Sequence, residues 1–196
     1  MSSLNLKYIL VFFAMVFLFK GCGIFETRDP ESPQNIRSTY IPPTTADIVI
    51  DNLTFAIQEK NTENYNKCLS SENFQFIPDS RSQLLYEQIF SGWNKQAEKH
   101  YLENMIAAQE GGSSTAILFL YNDRMTQFTS DSARFQADYI FAFQHNKANI
   151  PKSSTGRLSL ILAADDDALF YIRKWEDFRQ NDTDFTWSEF KANFSN

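Results

Sequence analysis

Cysteine is nearly absent: the 196 residues hold two, Cys22 and Cys68. That excludes a disulfide-built scaffold, which needs several pairs. Histidine is as scarce, with His100 and His145 alone. Neither has a carboxylate at ligand spacing, so no metal site is expected. The chain lacks a phosphate-binding glycine loop, a nucleophile elbow and a paired-cysteine metal motif, and no cofactor is expected. Basic residues are outnumbered, 18 against 24 acidic, for a net charge of −6. Residues 1–21 contribute Lys7 and Lys20 and no acid, so the remainder is more acidic still. This balance excludes nucleic acid as a partner, because phosphate binding needs a basic surface. A bilayer-spanning run is missing too. The apolar stretch Tyr8–Phe19 has twelve residues, short of the ~20 that a spanning helix needs.

What the chain has in quantity is phenylalanine, at 19 residues, within a composition that is 43% hydrophobic. Large flat side chains bury much area each and suit a deep core or an apolar pocket. The length fits one domain.

The N-terminus reads as an address. Lys7 followed by the apolar run has the form of a signal peptide, and Gly21-Cys22 after it resembles a bacterial lipobox. The match departs from the usual pattern at Lys20 and in the placement of Leu18. The resemblance implies cleavage before Cys22, lipidation of that thiol, and a bacterial cell-envelope location with the domain facing the periplasm or exterior. Several acyl chains together give the stable anchor that one chain does not. Residues 22–43, with Pro30, Pro33, Pro42 and Pro43, read as an extended tether, since proline stiffens the chain and removes donors. Residues 44–196 are left as a single domain. With Cys22 modified, Cys68 reads as a small buried apolar residue. The sequons at Asn52, Asn181 and Asn193 read as chance matches.

Within the domain, Thr44 and Asp47 approximate a capping box opening a first helix, in which Ile48, Leu53, Ala56 and Ile57 recur at helical spacing. A short helix capped by Thr62 follows, then a strand over Asn73–Ile77. A third helix is expected over Ser82–Ser91 and a fourth over Trp93–Ala108. Four strands come next, near 115–128, 131–146, 155–164 and 168–178. The clearest has Phe135, Ala137, Tyr139, Phe141, Phe143 and His145 on one face and Arg134, Gln136, Asp138 and Gln144 on the other. That is the period-2 pattern of a strand with one dry face. Short turns, with one longer connection over Asn146–Ser154 that contains Pro151, predict an antiparallel meander. Thr186 caps a short final helix.

This order of elements resembles the NTF2-like (SnoaL-like) α+β cone, in which N-terminal helices pack on a curved antiparallel sheet. Ile50–Asn61 is similar to that family's first helix, Tyr65–Phe76 to its short helix and first strand, and Trp175-Glu176-Asp177-Phe178 to its closing strand. The resemblance implies a helix-lined apolar pocket. In some relatives the pocket is catalytic; in others it binds ligands, or the open sheet face dimerises. Asp79, just after the first strand, is the nearest equivalent of the isomerase base, although a turn residue after Pro78 has the same signature. Asp138 is the acid candidate for an oxyanion hole of the Tyr-plus-carboxylic-acid kind, but its alternation puts it on the wet face. The aromatic set Trp93, Tyr101, Phe119, Tyr121, Tyr139, Phe141 and Tyr171 is expected either to line a small-ligand site or to form plain core. Asp165-Asp166-Asp167 lacks the spacing of a calcium loop and reads as a solvated hairpin turn. Leu118, Leu120, Ile140 and Ala142 suggest a second, partly apolar face that favours a homodimer. The expectation is therefore a membrane-tethered, non-catalytic domain that binds a small apolar or amphipathic ligand or an envelope protein. The rivals are an enzyme using Asp79 and a structural dimerisation module.

Overall fold

The computed structural model describes residues 39–109, 111 and 116–196. The expected signal peptide, Cys22 and most of the expected tether lie outside the described residues. Eleven described elements run in the order α1 (Ala46–Gln58), α2 (Thr62–Lys67), β1 (Gln75–Ile77), α3 (Ser80–Leu85), α4 (Glu87–Phe90), α5 (Lys95–Ala107), β2 (Ile117–Thr129), β3 (Ser132–Ala142), β4 (Ser153–Ala164), β5 (Phe170–Phe178) and α6 (Trp187–Asn193).

The sheet order is β1-β5-β4-β3-β2. Strands β2 to β5 form the expected antiparallel meander. The short β1 joins the β5 edge in parallel, with Phe76 opposite Trp175, so the sheet is not antiparallel throughout. Strand β3 alternates as its sequence requires: Ala133, Phe135, Ala137, Tyr139 and Phe141 are buried, whereas Arg134, Gln136 and Ile140 are exposed. Strand β2 bends at Asn122, which has a φ of 50°, where the register shifts between Tyr121 and Arg124. A bulge of this kind curves a sheet.

Helix starts deviate from expectation by one or two residues, each for a local reason. Thr44 donates its N–H to Pro42 O at 2.9 Å, which holds it in a turn before the helix. The N-cap is Thr45, whose side chain makes no capping bond, and three residues on stands Ile48, which has no carboxylate. Asn61, not Thr62, caps α2 by accepting from Asn64 N at 3.0 Å. The expected third helix is two short ones, because Tyr86 leaves helical conformation at φ −127° and ψ 33°. The final helix does carry a capping box, between Thr186 and Glu189.

The packed domain reaches back into the expected tether. The Asn52 side chain accepts from Ile41 N at 2.9 Å and donates to Ile41 O at 2.6 Å, and Pro43 O accepts from Phe170 N at 2.7 Å. This use of Asn52 leaves its side chain buried, with no face for a glycan.

Candidate functional site

The hollow of the sheet is where a pocket is expected, and α6 fills it. Trp187, Phe190, Lys191 and Phe194 have no solvent exposure. The Trp187 ring lies 4.6 Å from Trp175 and 4.7 Å from Phe141, centroid to centroid, and Phe190 lies 5.4 Å from Phe141. Four of the seven expected aromatics, Trp93, Tyr101, Tyr139 and Phe141, line this interior. Three do not. Phe119 and Tyr121 stack on each other on the outer sheet face, 5.7 Å apart and 17° from parallel, and Phe119 is 56% exposed. Tyr171 sits half-buried at the start of β5 beside Asp165. The inward residues of β2 are Leu118 and Leu120, which pair with Phe141 and Tyr139. The apolar outer face is therefore Ile117, Phe119 and Ile140, and the expected placement of Leu118 and Leu120 there is reversed. Both phases of β2 are apolar, so alternation alone does not orient it.

At the deep end of α6 is a dry ionic box. Lys191 Nζ contacts Glu98 Oε1, and both side chains are 0% exposed. Glu98 also accepts from Trp93 Nε1 and from Tyr65 OH, each at 2.8 Å. Tyr65 OH lies 3.2 Å from Tyr101 OH, which accepts from Trp187 Nε1 at 3.0 Å. The protons thus run in one direction, from the indole through two phenols to the carboxylate. The Lys191 ammonium stands 3.6 Å from the Phe76 ring centroid and 4.0 Å from that of Trp175. Ring faces are electron-rich and attract cations. Burial pushes the Lys191 pKa down to about 8, opposed by the Glu98 charge and its hydrogen bond. Burial likewise drives Tyr65 and Tyr101 well up, with the Glu98 charge adding to the effect.

At the other end of α6 a second cluster forms. Tyr139 OH donates to Asp177 Oδ1 at 2.8 Å and accepts from Trp187 N at 2.8 Å. Asp177 Oδ2 accepts from Ser188 N at 2.7 Å and Ser188 Oγ at 2.5 Å. Burial raises the Asp177 pKa, against the hydrogen bonds from Ser188 and Tyr139. A Tyr beside a carboxyl of raised pKa is the composition of an oxyanion hole, but both groups are turned to each other and to the first turn of α6. The close fit needs Gly156, since a Cβ there would lie 2.7 Å from both Tyr139 OH and Phe178 O. Sequence reasoning placed Asp177 in the closing strand but did not single it out as a site residue. Its neighbour Glu176 is solvent-accessible and its partner Ser188 is eleven residues away, so no local pattern marks it.

Asp79 is a helix cap, as the turn reading holds. Its Oδ1 accepts from Arg81 N at 3.2 Å, Ser82 N at 3.3 Å and Arg179 Nε at 3.2 Å. Its Oδ2 accepts from Ser82 Oγ at 2.5 Å and Thr186 Oγ1 at 2.7 Å. Five donors fill the roughly four lone-pair sites of a carboxylate, which leaves none for abstracting a substrate proton. Burial raises its pKa, but the Ser82 and Thr186 bonds and the Arg179 charge outweigh it, and the net shift is downward. The rim cleft beside it, about 410 Å³, is lined by Ile77, Pro78, Arg81, Phe178 and Arg179. Arg179 is held in place by Glu189 Oε2 at 2.8 Å.

The remaining candidates have structural partners. Asp138 is on the outer face by alternation but is not wet as expected: it is 4% exposed, covered by the side chains from which it accepts, Arg157 Nε at 2.7 Å, Gln180 Nε2 at 2.8 Å and Asn122 Nδ2 at 2.9 Å. His145 is buried with Nε2 3.1 Å from Pro151 O, its ring edge-on to Phe194 at 5.0 Å, whereas His100 is exposed beside Glu103. Asp165 closes the β4–β5 turn by accepting from Asp167 N and Leu169 N, each at 3.0 Å. Cys68 is buried, which pushes its thiol up to about 12. Among the described residues no group of three or more His, Cys, Asp and Glu is placed to hold a metal.

No protein-family model matches the chain, and no curated protein matches it. Solved structures do. An NTF2-like protein of unknown function in nutrient uptake from Rhodospirillum rubrum aligns with 10% identity over 68% of this chain and 97% of its own, at a TM-score of 0.51. A nuclear transport factor 2 (NTF2-like) superfamily protein from Salmonella enterica aligns with 18% identity over 69% of this chain and 88% of its own, at 0.50. The domain has the NTF2-like fold.

Proposed function

We propose that this protein is a non-catalytic interaction module of the bacterial cell envelope, anchored by lipid at Cys22 and presenting a closed NTF2-like domain to a protein partner. The observation that carries this reading is the filling of the cone by Trp187, Phe190, Lys191 and Phe194. An open apolar pocket would argue for a small ligand, but here that volume holds the chain's own side chains. The saturated Asp79 supports the non-catalytic part. While α6 fills the interior, the closed form offers a partner its surface. There the outer sheet face offers Ile117, Phe119 and Ile140, which are 48%, 56% and 39% exposed. A contiguous apolar stripe of this kind marks contact surfaces.

The same stripe favours a second reading, in which the partner is another copy of the chain. One experiment addresses both. A photocrosslinking residue is placed at 119 in the producing host, with and without Cys22→Ser, and membrane fractions are compared. Cys22-dependent membrane retention and a single discrete adduct are expected. An adduct of twice the chain mass assigns self-association; any other mass assigns a different protein. Retention that ignores Cys22, or the absence of an adduct, overturns the proposal.

A further inference from the structure

We infer that the box around Glu98 is a receptor for a primary alkylammonium group, occupied in this structure by Lys191 of the chain's own α6. The walls and the occupant come from different parts of the fold. Tyr65 lies on α2, Phe76 on β1, Trp93 just before α5, Glu98 and Tyr101 on α5, and Trp175 on β5. The ammonium comes from α6. If the α6 contribution is set aside, a fully buried carboxylate remains, faced by the rings of Phe76 and Trp175 and oriented by donors from Trp93 and Tyr65.

Those features select for chemical class. The ammonium makes a direct contact with Glu98 Oε1 and has two ring faces at 3.6 and 4.0 Å. The three N–H bonds of a primary ammonium match one carboxylate oxygen and two π faces. A quaternary ammonium has no N–H to donate, and its methyl groups would hold the carboxylate beyond hydrogen-bond distance. An alcohol of the same shape fills the volume but leaves the buried carboxylate without a counter-charge. The four methylenes of Lys191 set the distance from the α6 backbone to the charge. A lysine side chain from elsewhere and a free alkylamine share this chemistry. Either one would enter as α6 leaves, so occupancy from outside is coupled to release of Trp187 and Ser188 from Tyr139 and Asp177.

The test uses the full chain. Lys191→Ala removes three carbons and the ammonium, the shape of n-propylammonium. The variant is expected to melt lower than wild type, and n-propylammonium is expected to raise its Tm saturably. Tetramethylammonium at equal ionic strength and n-propanol are expected to do neither. In a Glu98→Gln, Lys191→Ala background the rescue is expected to vanish. Equal rescue by n-propanol, or rescue that persists without Glu98, overturns the inference, because void filling then explains it. If Lys191→Ala does not fold, the wild-type protein decides. Amide exchange over 187–193 is followed as n-propylammonium is titrated against a tetramethylammonium control. Capture of the opened box accelerates exchange in proportion to 1 + [L]/Kd, about tenfold when the amine exceeds its Kd by that factor. Exchange that does not differ between the two cations across the titration overturns the inference. No arm involves Cys22, so failure of the anchor reading and failure of this one are separable.

Discussion

At one end of α6, Glu98 and Lys191 meet with no solvent exposure; at the other, Asp79 meets an Arg179 that is 11% exposed beside an open cleft. Both are carboxylate–cation pairs, yet they do different work. The deep pair holds its cation against aromatic faces and has lost its water. Its two charges depend on each other, and it secures one arrangement of the interior more than it adds net stability. The rim pair is subordinate to helix capping: four of the five donors on Asp79 come from Arg81, Ser82 and Thr186, and Arg179 divides itself between Asp79 and Glu189. The same kind of pairing, carboxylate with cation, thus acts as a lock in one place and as a clamp on loop and helix ends in the other.

The largest expected effect breaks the lock. Lys191→Met leaves Glu98 buried without a cation and is expected to destabilise by about 3–5 kcal/mol, measured by urea unfolding. Adding Glu98→Gln to it is expected to recover most of that loss, because the neutral amide leaves no unpaired charge, its oxygen still accepts from Trp93, and its NH2 donates to Tyr65 OH. At the rim, Asp79→Ala is expected to cost about 2–3 kcal/mol, from a lost cap and unpaired donors. Thr186→Ala, which removes the capping box of α6 and one donor to Asp79, is expected to cost about 1–2 kcal/mol. The smallest effect is expected on the outer face: Arg157→Ala breaks a pair whose arginine side chain is 51% exposed, and such pairs contribute below about 1 kcal/mol.

Acid sharpens the comparison within the rim itself. The pKa of Asp79 is depressed, so its contribution is present above the unfolded value near 3.9 and is lost as pH falls through the folded one. That of Asp177 is raised, so its contribution is present below the unfolded value and is lost as pH rises through the folded one. Relative to their own stability at neutral pH, Asp79→Asn is expected to lose less on acidification below about pH 4 than wild type, and Asp177→Asn to lose more. Urea midpoints between pH 3 and pH 7 check both signs.

The sheet was legible in the sequence because β3 alternates with period 2 and turn signals separate the meander strands. The final helix was legible through Thr186, as was the turn at Asp165. The orientation of β2 was not, since Ile117 and Phe119 are as apolar as Leu118 and Leu120. The parallel pairing of β1 was hidden because three residues carry too little pattern to choose a partner. The site was the least legible part. Trp93, Tyr101, Tyr139 and Phe141 stood out as aromatics at regular spacing. Lys191, in contrast, reads as an ordinary helix-surface lysine, and only the folded chain brings it to Glu98. Asp177 looks like any polar residue of a closing strand until Ser188 and Tyr139 surround it.

The partners in the deep pair are 93 residues apart in the chain, and that separation has a kinetic consequence. Contacts so distant form late, because closing a long loop costs entropy before any contact repays it. Dehydrating Glu98 ahead of Lys191 would strand a charge in an apolar interior, so water leaves the box only as α6 docks. The meander, built from neighbouring hairpins, can zip well before that. Expulsion of the last interior water and arrival of α6 are then expected to coincide in one late step of folding, and Lys191→Met is expected to speed unfolding more than it slows refolding, measured by stopped-flow mixing in urea.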